Sequence, residues 1–295
     1  MFNNFFKKRD NKGYLFILPY FLAMLTFQVY PIIYTFFLSL QKPINMIKSE
    51  FVGFANYQRV LTNELFYTSI GNTFFIWLMN YIPQIIFALL LGVILTNKSI
   101  KGREALRTAY FLPNLVTASS IGVLFAVLLD WRFGTLNHAL VNFGIVQEPI
   151  KWLSQGLFAQ GAVSFIQWWQ WFGYTMIIMM AGLNAISSEL YEAAHIDGAS
   201  RTQAFFRITL PLLKPTILYV MVTSLIGGLQ IFDIPRVLTN GRGAPDNSLL
   251  TMVLYLYNQA FKNFNLGYAA ALAYVLFILI LIFSALLFKA FDEKK

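Results

Sequence analysis

The residues able to do chemistry in this 295-residue sequence are few, and they do not gather into a catalytic pattern. No HExxH or GxSxG motif is present, and no Ser/His/Asp cluster is suggested by position. The two histidines, His138 and His195, are far apart in the chain, and the absence of cysteine excludes disulfides and thiolate metal sites. The nearest approach to a phosphate loop is "GVILTNKS", Gly92 to Ser99. It has the first glycine, Lys98 and Ser99, but Asn97 replaces the second glycine and the residues between are apolar. A phosphate loop wraps a flexible run of backbone N–H groups round the anion, so Lys98 reads instead as a flank of an apolar run. No residue is assigned a catalytic or metal-ligating role.

One polar stretch does have an organisation of its own: "YEAAHIDGASRTQAFFRITLP", Tyr191 to Pro211. Ser187 or Ser188 can cap a short helix starting near Glu189, whose charge suits the positive end of the helix dipole. Asp197-Gly198 signals a turn, with glycine able to take the left-handed conformation that ends a helix. Ser200 and Gln203 then form a capping box for a second helix that ends near Pro211. The stretch therefore reads as helix, tight turn, helix. Ala193 and Ala194 are small enough for close approach to another surface, and Glu192 leaves a carboxylate free for an arginine there. A solvated amphipathic hairpin and a docking element that transmits motion are both consistent with these residues.

The surrounding sequence decides where such an element sits. Hydrophobic residues make up 58% of the chain and charged ones only 12%, about half the usual share for a soluble domain. Six apolar runs approach or exceed the length needed to cross a bilayer as a helix, at about 14–40, 69–96, 108–129, 158–186, 210–234 and 267–288. The expected fold is an all-α membrane protein with six transmembrane helices, forming a single transmembrane domain over residues 1–295. The first run follows Lys7, Lys8 and Arg9 but is too long for a signal-peptide core, so it reads as a retained span.

An even span number puts both termini on one side. With that side cytoplasmic, the inner segments hold Lys7, Lys8, Arg9, Lys12, Lys98, Lys101, Arg103, Arg107, Arg201, Arg207, Lys214, Lys289, Lys294 and Lys295. These are fourteen of the 22 basic residues, which predicts an N-in, C-in topology and places the loop at 187–211 in the cytoplasm. The net charge of +9 is thus topogenic, and no nucleic acid partner is expected. Outside, "FVGFANYQRVL" carries Phe54, Tyr57, Val60 and Leu61 at helical spacing, with Asn56 near the start, as an interfacial helix would.

Ion-coupled carriers keep ionisable residues inside their spans to bind the coupling ion. Here the apolar cores are almost free of charge, with Asp130 and Asp233 at the outer ends of spans three and five. An ion-coupled secondary carrier of a polar solute is therefore the alternative reading, and energy supplied by a cytoplasmic partner the leading one.

The run Glu192-Ala193-Ala194, Asp197-Gly198-Ala199, Phe205/Phe206, Ile208 and Leu210-Pro211 resembles the EAA loop of ABC importer permeases. Gly53, Asn56 and Tyr57 match the "GxxNY" segment of sugar importer permeases. "FDIPRVLTNGRGAP", Phe232 to Pro245, is similar to their "LTGGGP" segment, with Asn240 and Arg242 in place of glycines and Ala244 added before the proline. The resemblance covers nearly all the chain and is strongest to the MalF/UgpA-like permeases of carbohydrate uptake.

That resemblance implies a multi-pass permease of the bacterial cytoplasmic (inner) membrane, surrounded by membrane lipid. It implies four kinds of role for partners and loop. A second homologous permease completes the path, and an extracytoplasmic solute-binding protein delivers the solute. Two ATP-binding subunits carry ATP and Mg, so this chain binds no cofactor and is not an enzyme. Glu192, Ala193, Ala194, Asp197, Gly198 and Pro211 form the ATPase-coupling loop. For the solute path, sugar rings stack on aromatic faces and hydrogen-bond polar groups. Gln167, Trp168, Trp171 and Tyr174 follow helical spacing in "FIQWWQWFGY", either as a sugar-facing surface or as an aromatic belt. Gln230 and Ser119 or Ser120 correspond to family cavity positions, with helix–helix hydrogen bonding as the other reading. Asn80 and Gln84 are further candidates. The scarcity of intramembrane cations argues mildly against an anionic solute.

Overall fold

In a bilayer every backbone polar group must be satisfied within the chain, so apolar segments of this length become helices. The computed structural model describes residues 12–44, 49–97 and 99–291, and the basic flanks Lys7, Lys8, Arg9, Lys98, Lys294 and Lys295 lie outside them. The described residues are almost wholly helical, with one small antiparallel hairpin. The chain divides into two compact units: residues up to Asn63 with Leu256–Val275, and Glu64–Tyr255 with the residues from Leu276 onward.

In the first unit, α1 (Lys12–Met24) continues through a π-helical turn, Leu25–Val29, into α2 (Tyr30–Ser39). Pro31 follows the turn; lacking an N–H and crowding the carbonyl four residues back, it favours the wider i→i−5 bond seen from Tyr30 to Leu25. None of the described side chains between Tyr14 and Leu38 is buried. Strands β1 (Gln41–Pro43) and β2 (Ser49–Phe51) pair in register Gln41 to Phe51, and α3 (Ala55–Leu61) follows. Asn56 lies in the first turn of this helix. It is buried, and its Nδ2 donates to the carbonyls of Ser39 and Gln41 at 2.9 and 2.8 Å. Arg59 lies over the Tyr268 ring, and Tyr274 donates its hydroxyl to the Ile32 carbonyl at 2.6 Å.

The second unit is built on two long helices, α4 (Glu64–Thr96) and α8 (Gly156–Asn184), packed along their length. Between them in sequence come α5 (Arg103–Phe111), α6 (Ala118–Leu128) and α7 (Thr135–Asn142). The core includes Ala88, Leu95, Met176, Met179, Met180 and Val220. Polar ties cross it: Gln84 Nε2 donates to Thr175 Oγ1 at 2.7 Å, and Ser164 Oγ to the Ile76 carbonyl at 3.2 Å. Then follow α9 (Ser188–Ile196), α10 (Arg201–Ala204), a π turn (Phe205–Thr209), α11 (Leu210–Leu212), α12 (Lys214–Leu229) and α13 (Asp233–Leu238). Helices α14 (Met252–Tyr257) and α15 (Leu266–Phe291) each hold residues of both units, 256–275 belonging to the first.

Among the described residues, four helices are long and apolar enough to cross a membrane: Phe16–Ser39, Glu64–Thr96, Lys214–Leu238 and Leu266–Phe291. The third expected span is not one straight helix. Arg103–Leu115 and Ala118–Leu128 meet at 94°, as a broken span or a re-entrant loop, which would make a fifth crossing. Pro113 in the intervening 3₁₀ turn removes a backbone donor, and Thr117, extended, caps the next helix by accepting from Ser120 N. The fourth expected span corresponds to α8, one unbroken helix of 29 residues whose apolar sequence carries Gln160, Ser164, Gln167 and Gln170. The fifth, which is the one crossing Lys214–Leu238, has a local interruption at Gln230–Phe232, between α12 and α13, without the sharp bend of the third.

Candidate functional site

A cavity of about 300 Å³ opens inside the second unit, between α4, α8, α12 and the break before α13. From α8, Gln167, Gln170, Trp171, Tyr174, Thr175 and Ile178 face it. Their spacing of three and four residues is one face of a helix. Trp77, Asn80 and Gln84 line it from α4, and Thr223, Ser224 and Gln230 from the fifth expected span. The break in that span matters here, because ending the helix at Leu229 turns Gln230, Ile231 and Phe232 toward the space and brings Asp233 to its rim.

Close packing makes the wall. Gly228 sits under the Trp77 ring so tightly that a methyl there would fall 1.9 Å from Trp77 Cδ1. The indole Nε1 donates to Ser224 Oγ at 3.4 Å and the ring stacks on Tyr81 at 5.2 Å. Gln170 is 4% exposed; its Nε2 donates to the Val116 carbonyl at 3.3 Å, tying α8 to the break in the third expected span. Trp171 is 41% exposed and packs edge-on against Tyr174. Aromatic faces, amides and hydroxyls thus surround a space holding one carboxylate and no cationic side chain among the lining residues.

Not every sequence candidate reaches this space. Gln167, Trp171, Tyr174 and Gln230 do, whereas Ser119 lies beside it, its Oγ donating to Asp233 Oδ1 at 3.5 Å while Ala118 forms the wall. Trp168 does not share the face of Gln167 and Trp171; it stacks on Phe172 and meets Phe87 edge-on. Trp77, Gln170, Thr223 and Ser224 were missed. The stripe at 167, 170, 171, 174, 175 and 178 was available as a signal for Gln170, but small hydroxyl residues within an apolar helix gave none.

At the other feature singled out, α9 carries Glu192, Ala193 and Ala194 on an exposed or half-exposed surface, followed by Asp197 and Gly198. Ser187 caps it, accepting from Glu189 N. Its end is a Schellman motif: Ala199 N donates to Ala194 O at 2.8 Å and Gly198 N to His195 O at 3.1 Å, with Gly198 at φ +77°. Ser200 and Gln203 form both arms of the capping box, at 3.2 and 2.8 Å. Tyr191 and Thr209 hydroxyls meet at 2.8 Å, fastening α9 to the π turn that precedes Leu210-Pro211. Ile196 is 85% exposed at the tip. Among the described residues no group of acidic or histidine side chains could hold a metal ion.

Residues 67–295 match the family described as "Binding-protein-dependent transport system inner membrane component". The chain belongs to this family. Among curated members of this permease family, the lactose transport system permease protein LacF of Rhizobium radiobacter is 35% identical over 97% of this chain and 96% of its own. The arabinooligosaccharides transport system permease protein AraP of Bacillus subtilis is 36% identical over 96% and 90%. A solved bacterial alginate ABC transporter, in complex with an alginate pentasaccharide-bound periplasmic protein, contains a chain of the same fold. It aligns with a TM-score of 0.82 at 23% identity over 95% of this chain and 93% of that one. Membership places this chain as an inner-membrane transport component, a permease and not an enzyme. In the segment resembling "LTGGGP", three residues have positive φ. Asn240 takes the left-handed conformation at φ +50° that a glycine would supply, and Gly241 and Gly243 supply the others.

Proposed function

We propose that this chain is the transmembrane permease subunit of an ATP-driven, binding-protein-dependent importer of sugars or oligosaccharides. The observation that carries the proposal is the pairing of a polar, aromatic cavity in α4, α8 and α12 with a rigidly capped helix, α9, fastened beside the start of α12. Sugar specificity is supported by the names of the relatives, which include lactose, arabinooligosaccharide and trehalose/maltose permeases. It is supported too by lining groups that suit a neutral polyol: Gln167, Trp171, Tyr174 and Gln230, with Gln84, Asn80 and Ser224 alongside.

In this reading the chain forms one transmembrane domain with six crossings and both termini in the cytoplasm, α8 and the bent α5–α6 pair each counting as one. A second homologous permease completes the path, two ATP-binding subunits hold ATP and Mg, and an extracytoplasmic solute-binding protein delivers the sugar. Glu192, Ala193, Ala194, Asp197, Gly198 and Pro211 belong to the coupling loop. Its double capping keeps α9 rigid, so movement of an ATPase subunit passes to α12 through the Tyr191–Thr209 contact. The deciding experiment is uptake of radiolabelled oligosaccharides by proteoliposomes holding the complete transporter. Glu192→Arg should abolish ATP-driven uptake while the subunit still inserts and assembles. ATP-dependent uptake at the wild-type rate in that variant, or uptake collapsed by a protonophore with ATP intact, would sink the reading.

A further inference from the structure

A second cavity lies away from the solute path, at the far end of α6 and α8 where α7 and the 150–152 segment cover them. It holds about 360 Å³ and is walled by Phe125, Leu129, Leu136, Trp152, Phe158 and Phe165, among others, with Gly161 also lining it. The segment over it is held firmly: Asn137, 3% exposed, donates to the Ile150 carbonyl and accepts from Ile150 N and Trp152 Nε1 at 2.9, 3.1 and 3.0 Å. Beside the groove two cations share one ring. Arg132 Cζ lies 4.7 Å and Lys151 Nζ 5.1 Å from the centre of the Trp131 ring. Neither forms a salt bridge among the described residues. The nearby Asp130 carboxylate accepts from the backbone N–H groups of Arg132 and Phe133.

We propose that this groove and its paired cations bind an anionic phospholipid, an acyl chain in the groove and the phosphate on Arg132 and Lys151. Three arguments select this occupant. The groove wall offers hydrocarbon and aromatic carbon but almost no hydrogen-bonding group, so it suits an alkyl chain and would strand the backbone of a docked peptide. It opens beside side chains that are exposed on α6 and α8, Val123, Val127, Phe158 and Phe165, in a chain that is an inner-membrane component. Tryptophan with lysine and arginine at the end of apolar helices is the arrangement that meets lipid headgroups, and each such cation favours an anionic one.

The test uses the intact, delipidated transporter titrated with dioleoyl phosphatidylglycerol or dioleoyl phosphatidylcholine, bound lipid being counted by native mass spectrometry. The wild type should prefer phosphatidylglycerol, and Arg132→Gln with Lys151→Gln should reduce that preference on the order of tenfold. Gly161→Leu adds a side chain to the groove wall, where an added Cβ meets nothing within 4 Å, and should lower retention of both lipids. Inorganic phosphate should not displace the bound lipid. Undiminished phosphatidylglycerol preference in the charge variant, displacement by inorganic phosphate, or a photo-crosslinker at Phe158 that marks a protein subunit in place of lipid each overturns the proposal. The charge variant alters exposed side chains only, so it reports even where the groove variant fails to assemble. Sugar uptake is not the readout, so failure here leaves the transport reading standing.

Discussion

Trp171 and Gly228 show how much of the cavity between α4, α8 and α12 depends on single side chains. Trp171 presents a half-exposed indole to the space, so Trp171→Ala should slow oligosaccharide uptake on the order of tenfold without moving the unfolding midpoint. Gly228→Ala acts differently. Its methyl cannot coexist with Trp77 in place, so the ring must shift, and thermal unfolding should show a loss of about 1–3 kcal/mol. Asp130 governs a pH response. Backbone N–H groups of Phe133 and Arg132 hold its carboxyl below the usual carboxylate value of 3.8. A depressed folded-state value means the turn's contribution is present above the ordinary carboxylate range and is lost as pH falls through the lower, folded value. Amide exchange at Arg132 and Phe133 should therefore be flat between pH 5 and 8, after correction for intrinsic rates, and Asp130→Asn should raise it throughout.

Among the elements, α9 is the one whose ends carry its meaning. Few apolar contacts hold this short helix, so its caps decide whether it keeps one shape. Gly198→Ala forces a Cβ into φ +77° and should cost about 1 kcal/mol locally. Because nothing else lies within 4 Å of that position, the cost should appear as faster hydrogen exchange across α9 and the following turn, with the global midpoint unchanged. A comparable shift of the global midpoint would mean that α9 is more deeply packed than its exposure indicates. Two π turns also recur at one kind of place, each just before a residue-proline pair: Tyr30-Pro31 and Leu210-Pro211. In both, the missing proline N–H leaves the wider turn as the local way to satisfy neighbouring carbonyls.

For the whole molecule the topology is open to direct measurement, because the chain contains no cysteine. Single cysteines can therefore be introduced one at a time without background labelling. A cysteine replacing the exposed Ile196 should resist a membrane-impermeant maleimide in intact cells and react once the membrane is opened. One replacing Gln147, in the exposed segment after α7, should react in intact cells. Labelling of both in intact cells would contradict the expected crossing of α8.

Much of the architecture was legible because the determinants are local. Apolar runs of bilayer length, Ser187, the Asp197-Gly198 turn and the Ser200/Gln203 box each act within a few residues, so their helices and caps could be read from neighbours alone. Composition settled the membrane class for the same reason, as low charge leaves no other solvent for such a chain. The break at Pro113 was visible as a residue, but its 94° bend was not, since the angle depends on what the two halves pack against. The cavity was legible only in part. Helical spacing found Gln167, Trp171 and Tyr174 on α8, yet it also admitted Trp168, which packing against Phe87 and Phe172 turns away. Trp77, Ser224 and Gly228 meet across α4 and α12, far apart in sequence, and only close packing brings them into one wall. The sequence by itself determined the membrane class, the long apolar helices and the capped loop, all products of short-range chemistry, but not how many straight crossings those helices make. The tertiary structure alone decided which polar residues share a space, because that rests on how helices distant in the chain interlock.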